Sequence, residues 1–187
     1  MKTGRRPKSN QASGDAADLS MSRALAKPLP SLEILDSLLV YDPSGGALLW
    51  KKERGNGIKI GQRAGSINSK GYERVFINGE YYRSSRIAWK MYYKKDPTSE
   101  IDHVDTVKTN NSIENLREAT GSQNAWNTGK RRDNTSGQKG VRRSGKKWVS
   151  VIKIFGKRIY LGTFQTIEQA CEVRLLAAAL CHGEFAR

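Results

Sequence analysis

The sequence predicts an α+β chain in which a central unit of short strands and helices precedes a three-stranded antiparallel sheet packed on one helix. Three observations predict it. Alternating residues flank the turn signal Asn78-Gly79. The segment VRRSGKKWVSVIKIFGKRIYLGTF holds three strand-like runs, divided at Ser144-Gly145 and Phe155-Gly156. Apolar residues at helical spacing follow it, and three strands with one helix make a small two-layer core.

Taken in order, residues 1–28 are polar, basic and poor in large apolar side chains, and read as a disordered, phosphate-seeking tail. SLEILDSLLVY predicts a helix over 31–41 with Leu32, Leu35 and Leu39 on one face, broken by DPSGG. ALLWK reads as a strand, GYERVFINGEYYRSS as a hairpin, and RIAWKMYY as a short helix ending before Pro97. EIDHVD reads as a strand running into a loop. Asn111, three residues before Glu114, gives an N-cap signature for a helix over 112–117, and Thr120 with Gln123 a capping box for a helix over 121–127. A basic linker, 129–133, separates the central unit, 29–128, from the C-terminal unit, 134–187. Thr166 and Gln169 form another capping box, whose helix runs to about Cys181 and stops at Gly183. Its expected buried stripe is Ala170, Val173, Ala177 and Leu180.

Charge narrows the function classes. The 187 residues hold 33 Lys+Arg against 18 Asp+Glu, a net charge of +15, which is the footprint of a polyanion binder. No apolar run is long enough for a membrane span, and the N-terminus shows no apolar signal core. Cys171 and Cys181 read as small buried hydrophobes. With two scattered histidines they supply too few ligands for a zinc finger.

The chemistry concentrates in DHVDTVKTNNSIENLREATGSQN. Hydrolysing a phosphodiester needs a water, a base to deprotonate it, and charge to stabilise the phosphorane and the leaving oxygen. His103 suits the base, since imidazole titrates near neutral pH. Asp102 precedes it on a strand and points the other way. A carboxylate there and the amide oxygen of Asn124 are hard ligands of the kind Mg²⁺ takes, and Asn115 is placed to bond backbone across the loop. The same residues also read as a polar loop whose amides cap helices and turns.

The order and spacing resemble the motif of HNH endonucleases, in particular the homing-type group of phages and introns: an Asp-His pair, an Asn-Asn, an IENLR.AT segment, then an asparagine on the closing helix. The resemblance implies a ββα-metal (His-Me finger) fold with one divalent ion, Mg²⁺ with Mn²⁺ as a substitute. It makes His103 the general base, Asn115 the central structural asparagine, and Asp102 and Asn124 the metal ligands. The upstream hairpin and helix are also similar, except that Ser85-Arg86 stands where that group often has His-Arg.

The stretch from NTSGQKGVRR to HGEFA resembles the Apetala-two, or ethylene-response-factor, DNA-binding domain, through GVR, KW, GKRIYLGTF and HGEFA. That domain lays its sheet in the major groove. The alternation agrees: Val141, Trp148, Ile152, Ile154, Ile159 and Leu161 fall on one side, and Arg142, Lys153, Arg158 and Tyr160 on the other. Trp148 reads as core, and His182 as a cap or packing residue. Lys130, Arg131, Arg132, Lys139 and Arg143 complete the expected DNA contacts. The expectation is a metal-dependent DNA endonuclease of homing type, from a phage or mobile element, acting on double-stranded DNA in a bacterial cytoplasm, with no membrane and no small-molecule cofactor. The alternatives are a sequence-specific regulator with an inactive nuclease unit, an RNA-binding protein and a structural nucleoid protein.

Overall fold

A computed structural model describes residues 27–55, 57–130 and 132–186. Nearly all of the expected tail, and Arg131 of the linker, lie outside the described residues.

Ser31 opens the first helix, α1 (Leu32–Leu38), its hydroxyl accepting from the Ile34 N–H. The helix is shorter than the leucine spacing predicts. Leu39–Tyr41 leave it as strand β1, which pairs antiparallel with β2 (Leu48–Trp50). Leu39 still reaches the core, but from a strand. Three further strands, β3 (Ser66–Ile67), β4 (Glu73–Ile77) and β5 (Glu80–Arg83), form an antiparallel sheet in that order. The β4–β5 turn is Asn78-Gly79, with φ of 50° and 84°, the doubly left-handed turn that matches strand twist.

Helix α2 (Ser84–Tyr93) follows directly and joins two cores. Ile87 and Met91 pack with Leu35, Leu39, Leu48, Trp50, Val75 and Ile77, while Ala88 and Trp89 pack with Ile101 and Leu116. Burial of these apolar side chains is what fixes the next element against the helix.

That element is an antiparallel pair, β6 (Glu100–His103) with β7 (Leu116–Ala119), followed by helix α3 (Gly121–Asn127). The helix expected over 112–117 is absent: Ile113–Asn115 make one 3-10 turn and the chain then turns into β7. The apparent cap, Asn111, spends its amide elsewhere. Thr120 and Gln123 do form the capping box of α3. Gly46, at φ +69°, lets the 42–47 loop lie against the backbone of Asn111 and Ser112, where a Cβ would collide.

The C-terminal unit is a sheet of β8 (Val141–Ser144), β9 (Lys147–Ile154) and β10 (Lys157–Phe164), with β9 central, covered by α4 (Ile167–His182). A register shift between Tyr160 and Gly162 leaves Leu161 as the extra residue of a bulge. Val141, Ser150 and Ile152 face the helix and are buried, but Trp148 and Ile154 are only half-buried and Ile159 is exposed. The buried stripe of α4 is Ala170, Arg174, Ala178 and His182. This corrects the expected phase. Leu175, Leu176 and Leu180 point outward, Leu180 at 86% exposure, so apolar residues lie on every side of α4 and periodicity could not select the inner one. Cys181 is exposed and Cys171 half-buried, against the expectation that both are buried.

Candidate active site

Strand β6 presents Asp102 and His103 to opposite sides, and both are buried, at 5% and 4% exposure. On the His103 side, Nε2 lies 3.1 Å from Asn111 Oδ1. Asn111 Nδ2 in turn donates to Glu73 Oε2 at 2.9 Å, and Arg63 Nε donates to Glu73 Oε1 at 2.7 Å. A row of four side chains thus runs from the surface, through β4, to the imidazole. The Tyr72 ring lies 6.3 Å from the imidazole, with Arg83 and Lys108 over it at 4.3 Å and 4.6 Å.

Asn115 holds the loop after β6. Its Oδ1 accepts from the Asp105 N–H at 2.9 Å, and its Nδ2 donates to Asp105 Oδ1 at 2.9 Å and to the Asn110 carbonyl at 2.8 Å. Partial burial works against the Asp105 charge, yet the bonds from Asn110, the Val107 N–H and Asn115, with His103 nearby, hold its pKa below the usual carboxylate value.

On the opposite side, Asp102 Oδ2 accepts from Arg117 Nε at 3.1 Å and Nη2 at 3.0 Å. Asn127 Nδ2 donates to Asp102 Oδ2 at 2.9 Å, to Oδ1 at 3.1 Å and to the His103 carbonyl at 2.8 Å. The amide brought to Asp102 is therefore that of Asn127. Asn124, one helical turn earlier, donates to Glu100 Oε2 at 2.7 Å on the exposed side of α3. The strand pair, not the motif spacing, decides which of the two reaches the carboxylate. Sequence reading also missed Asn111, Glu73 and Arg117. Read as a helix cap, Asn111 gave no sign of a partner 38 residues away.

No group of three or more His, Cys, Asp or Glu able to hold a metal occurs among the described residues. The donors present at Asp102 still suit a hard cation. Among the described residues its Oδ1 is met by Asn127 Nδ2, and an ion held by this carboxylate and the Asn127 amide oxygen would keep several waters.

The C-terminal unit closes on this centre. Arg117 Nη1 donates to the Glu184 carbonyl at 2.9 Å, and its guanidinium lies 3.7 Å over the Phe185 ring. Trp126 of α3 stacks on His182, and Phe155 meets the same indole edge-on. Lys139 Nζ donates to the carbonyls of Ala125, Trp126 and Thr128, at 3.1, 2.8 and 2.9 Å. This corrects its expected role: the ammonium caps the C-terminal end of α3 rather than standing free for phosphate. Burial, with Arg174 nearby, lowers its pKa.

The remaining cationic residues fall where the alternation put them. Cross-strand pairing of Arg158 with Lys153, Tyr160 with Val151, and Arg142 with Val149 places Arg142, Lys153, Arg158 and Tyr160 on the sheet face away from α4, all exposed. Arg143 pairs with Trp148 on the helix side and donates from Nε to the Gly145 carbonyl, and Lys130 and Arg132 are exposed. An open cleft of about 420 Å³ is bordered by Tyr72, Arg83, Ser85, Arg86, Glu100 and Asn124.

Comparison with known proteins adds three findings. The family model for HNH endonuclease matches residues 82–126. The solved structure on DNA binding and cleavage by the HNH homing endonuclease I-HmuI aligns at a TM-score of 0.40 and 18% identity, over 82% of this chain and 90% of that one, a likeness too slight to carry a conclusion. Protein 3.8 of Escherichia phage T7 is 33% identical over 89 residues, 46% of this chain and 73% of that protein. The chain belongs to the family of this phage protein and carries the HNH endonuclease domain.

Proposed function

We propose that the protein is a metal-dependent DNA endonuclease that hydrolyses phosphodiester bonds, of homing type and at work in the bacterial host of a phage or mobile element. One observation carries the reading: a buried Asp-His pair on one strand, with the imidazole held by Asn111 on one side and the carboxylate set against the Asn127 amide on the other. The endonuclease family match, the phage relative and the net charge of +15 support it.

In this reading His103 takes the proton of the attacking water, whose oxygen bonds to phosphorus as the bond to the leaving oxygen breaks. Asp102 and Asn127 would hold a divalent ion, Mg²⁺ by the hardness of the two oxygens, and when bound it would supply positive charge for the phosphorane and the leaving oxygen. Arg83 and Lys108, over Tyr72, neutralise phosphates beside His103. Asn115 keeps the loop rigid so that this geometry is ready before DNA arrives. The outer face of the C-terminal sheet reads the duplex in the manner of an Apetala-two domain.

The test is to incubate supercoiled plasmid with the protein in Mg²⁺ or EDTA and to separate open-circle and linear products. Nicking should need the ion, and His103→Ala should slow it by about 10²–10⁴-fold while leaving DNA binding intact. Full activity in EDTA, or a His103→Ala variant as fast as the native protein, would refute the assignment.

A further inference from the structure

We infer that the carboxylate of Glu73 sets the tautomer of His103, through Asn111, and so decides which ring nitrogen meets the attacking water. The inference rests on the reading of His103 as the base, and adds to it two positioning residues, Glu73 and Asn111, with Arg63 behind them.

The argument is one of donors and acceptors. Glu73 is 7% exposed and paired with Arg63, whose Nε is 2.7 Å from Oε1. A carboxylate only accepts, so the atom of Asn111 that faces it must be Nδ2, as found at 2.9 Å. An amide has two different ends. With Nδ2 committed to Glu73, Asn111 can turn only its oxygen to the imidazole, as found at 3.1 Å. An oxygen acceptor calls for a donor, so Nε2 carries the hydrogen and Nδ1 keeps its lone pair. Asn111 is 1% exposed, and its backbone carbonyl is also held by the Tyr41 hydroxyl at 2.7 Å, so the amide is fixed in place. The other groups near the ring do not compete for Nε2. Asn115 and Asn110 engage Asp105, and Arg83 and Lys108 lie over the Tyr72 ring.

This makes a sharp prediction for a nearly isosteric change. In Glu73→Gln the new side chain has one acceptor and one donor end. The charged Arg63 takes the acceptor, leaving an NH₂ toward Asn111. Asn111 must then present its oxygen to that NH₂ and its own NH₂ to His103. Nε2 becomes an acceptor and the hydrogen moves to Nδ1.

Nitrogen-15 NMR of histidine-labelled protein, at alkaline pH where imidazole is neutral, reads this directly. The protein has only two histidines. His182, whose Nε2 faces the Lys153 carbonyl at 3.1 Å, is an internal reference for the Nε2–H form. The native protein should show His103 as Nε2–H, and Glu73→Gln should shift it mainly to Nδ1–H with an unchanged fold by circular dichroism. Plasmid nicking by Glu73→Gln should fall by about 10²-fold or more in turnover, with little change in DNA affinity. A native His103 in the Nδ1–H form, or a Glu73→Gln spectrum identical to the native one, overturns the inference whatever the nicking rate. An inverted tautomer with undiminished nicking leaves the relay standing and removes His103 as the base.

Discussion

The imidazole of His182 lies flat on the indole of Trp126, centroids 4.3 Å apart and planes 10° from parallel. One ring comes from the last turn of α4, the other from the helix that carries Asn127, so the stack joins the sheet unit to the Asp102 centre. It also gives the contact a pH dependence. Burial holds the His182 pKa below its ordinary 6.5; the Lys153 carbonyl opposes this, and the charges of Arg174 and Lys139 add to it. Because the folded-state pKa is the lower one, the unfolded chain binds the proton first. The stabilisation is present above the unfolded value and is lost as pH falls through the folded one. The urea midpoint should drop as pH falls below the ordinary 6.5, and His182→Gln should flatten that part of the profile.

Asn127 and Asn124 should separate in kinetics. Asn127→Ala removes the amide that holds Asp102 and the His103 carbonyl, and should raise the Mg²⁺ concentration for half-maximal nicking by about 10–100-fold. Asn124→Ala loses a bond to exposed Glu100 and should leave that concentration near its native value. A Mg²⁺ titration of nicking rate for the two variants decides between them.

Arg117 is the counter-charge of a buried carboxylate, with side-chain exposures of 15% and 6% for the pair. Arg117→Met should destabilise the fold by about 3–5 kcal/mol, since it strands the Asp102 charge. Arg117→Lys should recover only part of this, because Nε and Nη2 both bind Oδ2 while Nη1 reaches Glu184. Chemical denaturation of the three proteins is the measurement.

Salt dependence should distinguish structural cations from those proposed to face DNA. Lys153→Ala and Arg158→Ala, on the outer sheet face, should each lower the slope of log affinity against log salt by about one unit. Lys139→Met should leave the slope unchanged and instead lower the melting temperature, because its ammonium serves three carbonyls at the end of α3. Fluorescence anisotropy on a labelled duplex at several salt concentrations gives the slopes.

Much of this architecture was legible because local rules settled it. Asn78-Gly79 can form one kind of turn, and the boxes at Thr120 and Thr166 close over their own backbone, so no distant partner was needed to place them. What escaped depended on partners far along the chain. Asn111 and Glu114 look like a helix start, but the Asn111 amide is taken by His103 and Glu73, and the segment after it gains more by pairing with β6. Asn124 and Asn127 are three residues apart on α3, and only the strand pair beneath the helix shows which faces Asp102. Arg174 and His182 took buried positions on α4 that an apolar template would never assign to them.

The clasp of Arg117 on Glu184 and Phe185, with the Trp126–His182 stack beside it, also bears on where a cut would fall. Were the two halves joined only by a slack tether, the catalytic half would wander along the duplex and leave breaks scattered over several base pairs. Clasped at the carboxylate itself, they act as a ruler. If the protein cuts and reads DNA as proposed, the break would land at a constant number of base pairs from the sequence that is read, and the ruler would go out of true when the clasp is cut.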